Sequence, residues 1–131
     1  MSWLPAWHAA TPQAPTHYET VKSLDRRLEE FSRIRERYPG RVPVIIEKAG
    51  RATGPTLRKS SFLVPTTMLV GHLLVTVQSV VEEADARRTV VLTTRDCTVL
   101  RSSQPLEQVY NKFKAEDGHL YLYCAHENVL G

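Results

Sequence analysis

Leu24, Leu28, Phe31 and Ile34 recur at spacings of three and four residues, which is the period of one face of an α-helix. Arg26, Arg27, Glu29, Glu30, Arg33 and Arg35 fill the intervening positions, so the helix is apolar on one stripe and charged elsewhere. A helix of this kind has to lay its stripe on another element. Tyr38-Pro39-Gly40 ends it, because the residue before a proline is pushed out of helical backbone. The next run, Val42-Pro43-Val44-Ile45-Ile46-Glu47-Lys48, is rich in β-branched residues and predicts a strand. A helix that needs support, followed at once by sheet-forming chain, restricts the fold to a mixed α and β architecture.

The later segments extend this pattern. A loop containing Gly and Pro at residues 49–55 leads to a second strand at Phe62-Leu63-Val64, which runs into Pro65. Val70, Leu73, Leu74, Val77 and Val81 carry a helical period, with Thr66 and Thr67 as expected N-terminal caps, and predict a helix crossing the sheet. The β-branched run at residues 89–94 reads as a central strand, and Leu106, Val109, Tyr110 and Phe113 mark a short helix. Glu116-Asp117-Gly118 turns the chain into a last strand, with Leu120, Leu122 and Cys124 on one face and Tyr121, Tyr123 and Ala125 on the other. The expectation is an α+β fold, a sheet with a helix packed across one face, preceded by a further helical segment.

Residues 1–15 hold three prolines and two tryptophans without a period and read as a loosely held extension, with the domain at 16–126 and a flexible tail at 127–131. Trp3, Leu4 and Trp7 leave three readings open: contact with a membrane interface, docking back into the domain's own groove, or a loose end.

At 131 residues and 42% hydrophobic content the chain suits one domain with one core. It holds no run of about 18 apolar residues and no secretory leader, so a soluble, intracellular protein is expected. Cys97 and Cys124 are too few for a disulfide scaffold and predict reduced thiols. The net charge is +3, but the arginines of the first long helix alternate with Asp25, Glu29, Glu30 and Glu36, which reads as a solvated helix face and argues against nucleic acid. Cys124, His126 and His119 lack the paired-cysteine spacing of a zinc site, and no Gly-rich phosphate loop is present; neither a metal nor a cofactor is expected.

The sequence closes on Gly131. Glycine has no Cβ, so a carboxylate on it threads a narrow channel and is open to attack at the carbonyl, which suits a terminus meant to react; by itself the feature fits a loose end equally well.

The stretch from Arg33 through Tyr38-Pro39-Gly40-Arg41-Val42-Pro43 to Ala49 closely resembles the family of GABARAP-like ubiquitin-like autophagy modifiers. Phe62-Leu63-Val64-Pro65, Val70-Gly71, residues 106–110, Glu116-Asp117-Gly118-His119 through Tyr123, Glu127-Asn128 and Gly131 follow in the family's order, so the resemblance spans residues 18–131. It implies a ubiquitin-like β-grasp fold, a four-stranded mixed sheet with a crossing helix, preceded by N-terminal helices. It also implies that Gly131 is activated by an ATP-dependent enzyme, passed as a thioester and joined to phosphatidylethanolamine, so that the chain is a substrate and not an enzyme. Cytoplasmic residence, a lipidated form on the autophagosome membrane, and a cysteine protease that trims family precursors belong to the same implication. Two other readings stay open: an unconjugated peptide-binding adaptor, and a modifier attached to a protein, against which the Arg41-Val42-Pro43 region argues.

The resemblance further implies a groove in which autophagy receptors and adaptors carrying a short aromatic-x-x-aliphatic motif add a strand beside Phe62-Leu63-Val64. Carried over by position, Glu30, Ile34, Pro43, Ile45 and Leu63 would form an aromatic pocket, and Phe62, Val64, Pro65, Met68, Leu73 and Val77 an aliphatic one. Arg41 and Lys59 would favour acidic flanks. The chain departs from the family pattern at His119, where a phenylalanine usually gates the aromatic pocket, at Ser60 and Ser61, which replace lysines, and at Val80, which replaces a basic residue. A less positive groove is expected, and His119 introduces a group that titrates near mildly acidic pH.

Overall fold

The computed structural model describes residues 12–50 and 54–127. Helix α1 (His17–Val21) is short and starts on a reciprocal capping box, in which the Thr16 hydroxyl accepts from the Glu19 N–H and the Glu19 carboxylate accepts from the Thr16 N–H at 2.9 Å. Helix α2 (Leu24–Arg37) is capped by Ser23, whose Oγ accepts from the Arg26 N–H, and ends at Tyr38 as the proline requires. Then follow β1 (Arg41–Lys48), β2 (Ser61–Pro65), α3 (Val70–Ser79), β3 (Val90–Thr93), α4 (Leu106–Phe113) and β4 (Leu120–His126). The sheet order is β2-β1-β4-β3; β1 runs antiparallel to β2 and parallel to β4, and β3 is antiparallel to β4.

Helices cover both faces of this sheet, so β4 is buried at every position. On one face Val44, Ile46, Leu92, Leu120, Leu122 and Cys124 pack with Val70, Leu73 and Val77 of α3 and with Leu106, Val109 and Tyr110 of α4 in a single core. On the other face lie Ile45, Tyr121, Tyr123 and Ala125, with α2 against β1, Tyr18 of α1 beside Tyr121, and the first N–H groups of α1 on Glu47 of β1. The predicted division of β4 into two apolar faces is what is found. Pro43 sits one residue ahead of the β1–β4 ladder, which begins at Val44 opposite Leu120, so the residue lacking an N–H is flanked there by β2 alone.

Four expectations are corrected. The β3 strand is at the sheet edge and not in its centre; its outer side is instead covered by residues 98–100, through bonds from the Leu100 N–H to the Leu92 carbonyl and from the Thr94 N–H to the Thr98 carbonyl, both 2.9 Å. Thr66 and Thr67 do not cap α3, because a turn closed by the Met68 N–H on the Pro65 carbonyl delays the helix to Val70, and His72 Nδ1 accepts from the Leu69 N–H at its start. Arg27 is not a free surface charge, since it reaches across 90 residues of sequence to Asp117 at 2.6 Å. The chain is also tied to the domain ahead of Thr16: the Gln13 N–H donates to the Arg95 carbonyl and the Tyr123 hydroxyl to the Ala14 carbonyl. The readings of Trp3, Leu4 and Trp7 lie outside the described residues.

The turn before β4 depends on Gly118, which has a φ of +87° and whose carbonyl accepts from the Tyr110 hydroxyl at 2.6 Å. A Cβ there would lie 2.5 Å from the Phe31 ring. Gly118→Ala is therefore expected to destabilise the domain by about 1–3 kcal/mol, combining backbone strain with overpacking, as read from the urea midpoint.

Candidate functional site

The outer side of β2 pairs with no other strand among the described residues, and a hollow lies on each side of it. The first, about 230 Å³, is lined by Tyr18, Glu30, Ile34, Pro43, Ile45, Ser61, Phe62, Leu63 and His119. The second, about 320 Å³, is lined by Arg41, Lys59, Phe62, Leu63, Val64, Pro65, Met68, Leu73 and Thr76. Phe62 and Leu63 belong to both, so the strand is the partition between two mostly apolar cavities. Lys59 lies with its ammonium 5.1 Å from the centre of the Phe62 ring, and Arg41, opposite Pro65 toward the other end of β2, lines the same hollow.

Thus Glu30, Ile34, Pro43, Ile45 and Leu63 converge on one hollow, and Phe62, Val64, Pro65, Met68 and Leu73 on the other. Val77 does not join them: it is fully buried in the core beneath, and Thr76 stands at the wall in its place. Tyr18, Ser61 and Thr76 were not expected as lining residues. For Tyr18 a signal existed, since Thr16-His17-Tyr18-Glu19 fits the capping-box pattern that starts a helix. Gly131 lies outside the described residues.

His119 is the floor of the first hollow and not an exposed gate; it is 2% exposed. Tyr18 donates from its hydroxyl to Glu30 Oε1 at 2.6 Å, and the Tyr18 hydroxyl oxygen lies 3.1 Å from His119 Nε2. Lys22 Nζ holds the other Glu30 oxygen at 2.6 Å. Burial favours the neutral Glu30 carboxyl, but the bonds from Lys22 and Tyr18 outweigh it and keep the group below the usual carboxylate range. Burial, with the Glu30 carboxylate as acceptor, pushes the Tyr18 phenol up. On the far side Asp117, wholly buried, accepts from Arg27 and Tyr121 on Oδ2 and from the His119 N–H on Oδ1. Burial opposes that charge too, yet bonds from His119, Tyr121 and Arg27 hold the Asp117 carboxyl well below the ordinary range.

Cys124 sits in the main core, where burial pushes its thiol up to about 12, unlike a reactive or metal-binding thiolate. Among the described residues no group of three or more His, Cys, Asp or Glu side chains is placed to hold a metal ion, and no helix is long and apolar enough to cross a membrane.

A sheet of order β2-β1-β4-β3 with two N-terminal helices on one face and a crossing helix on the other is an arrangement shared with proteins of known family. The family described as "Autophagy protein Atg8 ubiquitin like" matches residues 26–131. The chain belongs to the Atg8 family. It is 33% identical over 118 residues to autophagy-related protein 8a of Arabidopsis thaliana, covering 90% of this chain and 95% of that protein. With autophagy-related protein 8 of Dictyostelium discoideum it shares 34% identity, over 82% of this chain and 88% of the relative. Among solved structures, Trypanosoma brucei ATG8 superposes with a TM-score of 0.78 at 32% identity, over 87% of this chain and 97% of that one. Plasmodium falciparum Atg8, solved in complex with a Plasmodium falciparum Atg3 peptide, gives a TM-score of 0.72 at 30% identity, over 86% and 96%. The protein is a ubiquitin-like modifier of autophagy with the β-grasp fold of the Atg8 family.

Proposed function

We propose that this Atg8-family chain is coupled through Gly131 to phosphatidylethanolamine and that, once on a membrane, it recruits extended peptide segments along β2. The observation that carries the second half is the edge strand Ser61–Pro65, whose outer side pairs with no other strand among the described residues, running between two apolar hollows. An added strand draws affinity from backbone hydrogen bonds, while two side chains spaced to fall into the hollows supply specificity. An aromatic residue suits the hollow floored by His119 and Tyr18, and an aliphatic one suits the hollow of Val64, Pro65, Met68 and Leu73, with acidic flanks beside Arg41 and Lys59. The solved Plasmodium falciparum relative holds a peptide of Atg3, which supports a conjugating enzyme as one partner class here.

The chain acts as a substrate without catalysis of its own: activating and conjugating enzymes supply the ATP and thiols, and a cysteine protease trims any residues that follow the glycine. It cycles between the cytoplasm and the autophagosome membrane. Incubating the protein with active conjugation enzymes, ATP and phosphatidylethanolamine liposomes is expected to add a lipid-sized mass that Gly131→Ala abolishes. Absence of that gain, with enzymes that lipidate a known substrate, favours an unconjugated adaptor.

A further inference from the structure

Hydrogen-bond bookkeeping under the first hollow leaves one proton to be placed. The Glu30 carboxylate accepts on both oxygens, from Tyr18 and from Lys22, so the single Tyr18 hydroxyl hydrogen is committed to it. The Tyr18 oxygen is then an acceptor toward His119 Nε2 at 3.1 Å, which places a hydrogen on Nε2. The other ring nitrogen, Nδ1, is buried without a hydrogen-bond partner of good geometry and lies 3.3 Å from Asp117 Oδ1. Asp117 is an acceptor only, engaged by Arg27, Tyr121 and the His119 N–H. A bare nitrogen lone pair facing a buried carboxylate oxygen is repulsive, whereas an N–H there makes a charge-assisted contact.

We propose that His119 is a positioning residue of the peptide groove and works as an imidazolium, its Nε2–H holding Tyr18 and its Nδ1–H facing Asp117. Three aromatic rings lie around it, tilted to its plane, with centroids at 5.0 Å for Tyr18, 6.0 Å for Tyr121 and 6.2 Å for Phe31. Two cations act against it, Lys22 and Arg27, but each is partly solvated and already faces a carboxylate, whereas Asp117 is fully buried. The charged ring bridges α1 and α2 to the start of β4, and with them the wall of the first hollow formed by Tyr18, Glu30 and Ile34. Removing the Nδ1 proton returns the lone pair to Asp117 and loosens that wall, so peptide binding should weaken on the alkaline side and not on the acidic one.

This deepens the groove reading above and rests on it for the peptide arm alone. Ring ¹⁵N shifts of His119 in the peptide-free full chain, followed from mildly acidic to alkaline pH, test the protonation directly. Both nitrogens are expected in the protonated range at neutral pH, with Tyr18→Phe shifting Nε2; an unprotonated Nδ1 at neutral pH overturns the proposal. In parallel, an acidic-flanked peptide with a tryptophan and a leucine three residues apart is titrated against wild type and His119→Phe. Wild-type affinity should fall several-fold toward alkaline pH while His119→Phe stays flat; equal slopes in the two proteins overturn the positioning role. A peptide that binds neither protein at any pH overturns the groove reading instead, and the ring shifts still decide the protonation.

Discussion

Asp117→Ala is expected to cost about 3–5 kcal/mol, the range for breaking a buried charge pair by removing one partner. The carboxylate serves three donors from separate elements, the Arg27 guanidinium of α2, the Tyr121 hydroxyl of β4 and the His119 N–H of the preceding turn. Truncation leaves the buried donors with no acceptor, each at about 1–3 kcal/mol. Arg27, 15% exposed, can swing its charge toward water, which places the loss nearer the lower end of the range. Urea denaturation followed by circular dichroism checks this; a loss under about 1 kcal/mol would show that the pair carries no net stability. The pH dependence has a fixed sign. The folded carboxyl titrates below its unfolded value of about 3.9, so its contribution is fully present above roughly pH 4 and is lost as pH falls further. Wild type should therefore lose stability into acid more steeply than Asp117→Ala.

Most of the architecture was legible because it rests on short-range periodicity. The Leu24, Leu28, Phe31 and Ile34 stripe and the Pro39-Gly40 stop place α2, and the two-faced apolar strand at the end of the domain is β4. The stripe's burial is not legible to the same extent: Leu24 and Leu28 remain 37% and 38% exposed, while Phe31 lies beside His119 and Ile34 lines the first hollow with Pro43 and Ile45. The β3 strand was assigned to the sheet centre from its β-branched content, but content reports burial and not strand order. Residues 98–100 bury its outer side as a neighbouring strand would, a contact no local pattern announces.

The groove shows the same division. Its apolar lining is read by position from the family resemblance, and those residues other than Val77 do converge, whereas the polar floor has no local signature. Asp117 and Arg27 are 90 residues apart, and Tyr18 meets His119 across 101. Only the folding of α1 and α2 over the sheet brings these groups together. Arg27 was read as one more surface charge because its neighbours in sequence are charged, although its partner is supplied by the turn at Gly118.

Val77 and Leu63 separate core from groove, and their substitutions should fail in opposite ways. Leu63 is half-buried on the edge strand and lines both hollows, so Leu63→Ala removes the partition on which two anchoring side chains would rest. Truncating a central anchor contact of this kind costs about 2 kcal/mol of binding, or about 30-fold in Kd, with little change in the unfolding midpoint. Val77 is 0% exposed on the buried side of α3, surrounded by core. Val77→Ala should therefore lower stability by about 1.5–3 kcal/mol, as expected for a fully buried aliphatic side chain, while peptide affinity of the folded fraction stays within about twofold. Calorimetric titration with the same peptide, alongside urea unfolding, separates the two. If Val77→Ala weakened binding as much as Leu63→Ala while the domain stayed folded, the aliphatic hollow would have to open into the core when occupied. If neither changed affinity, peptide would be bound somewhere other than the β2 edge.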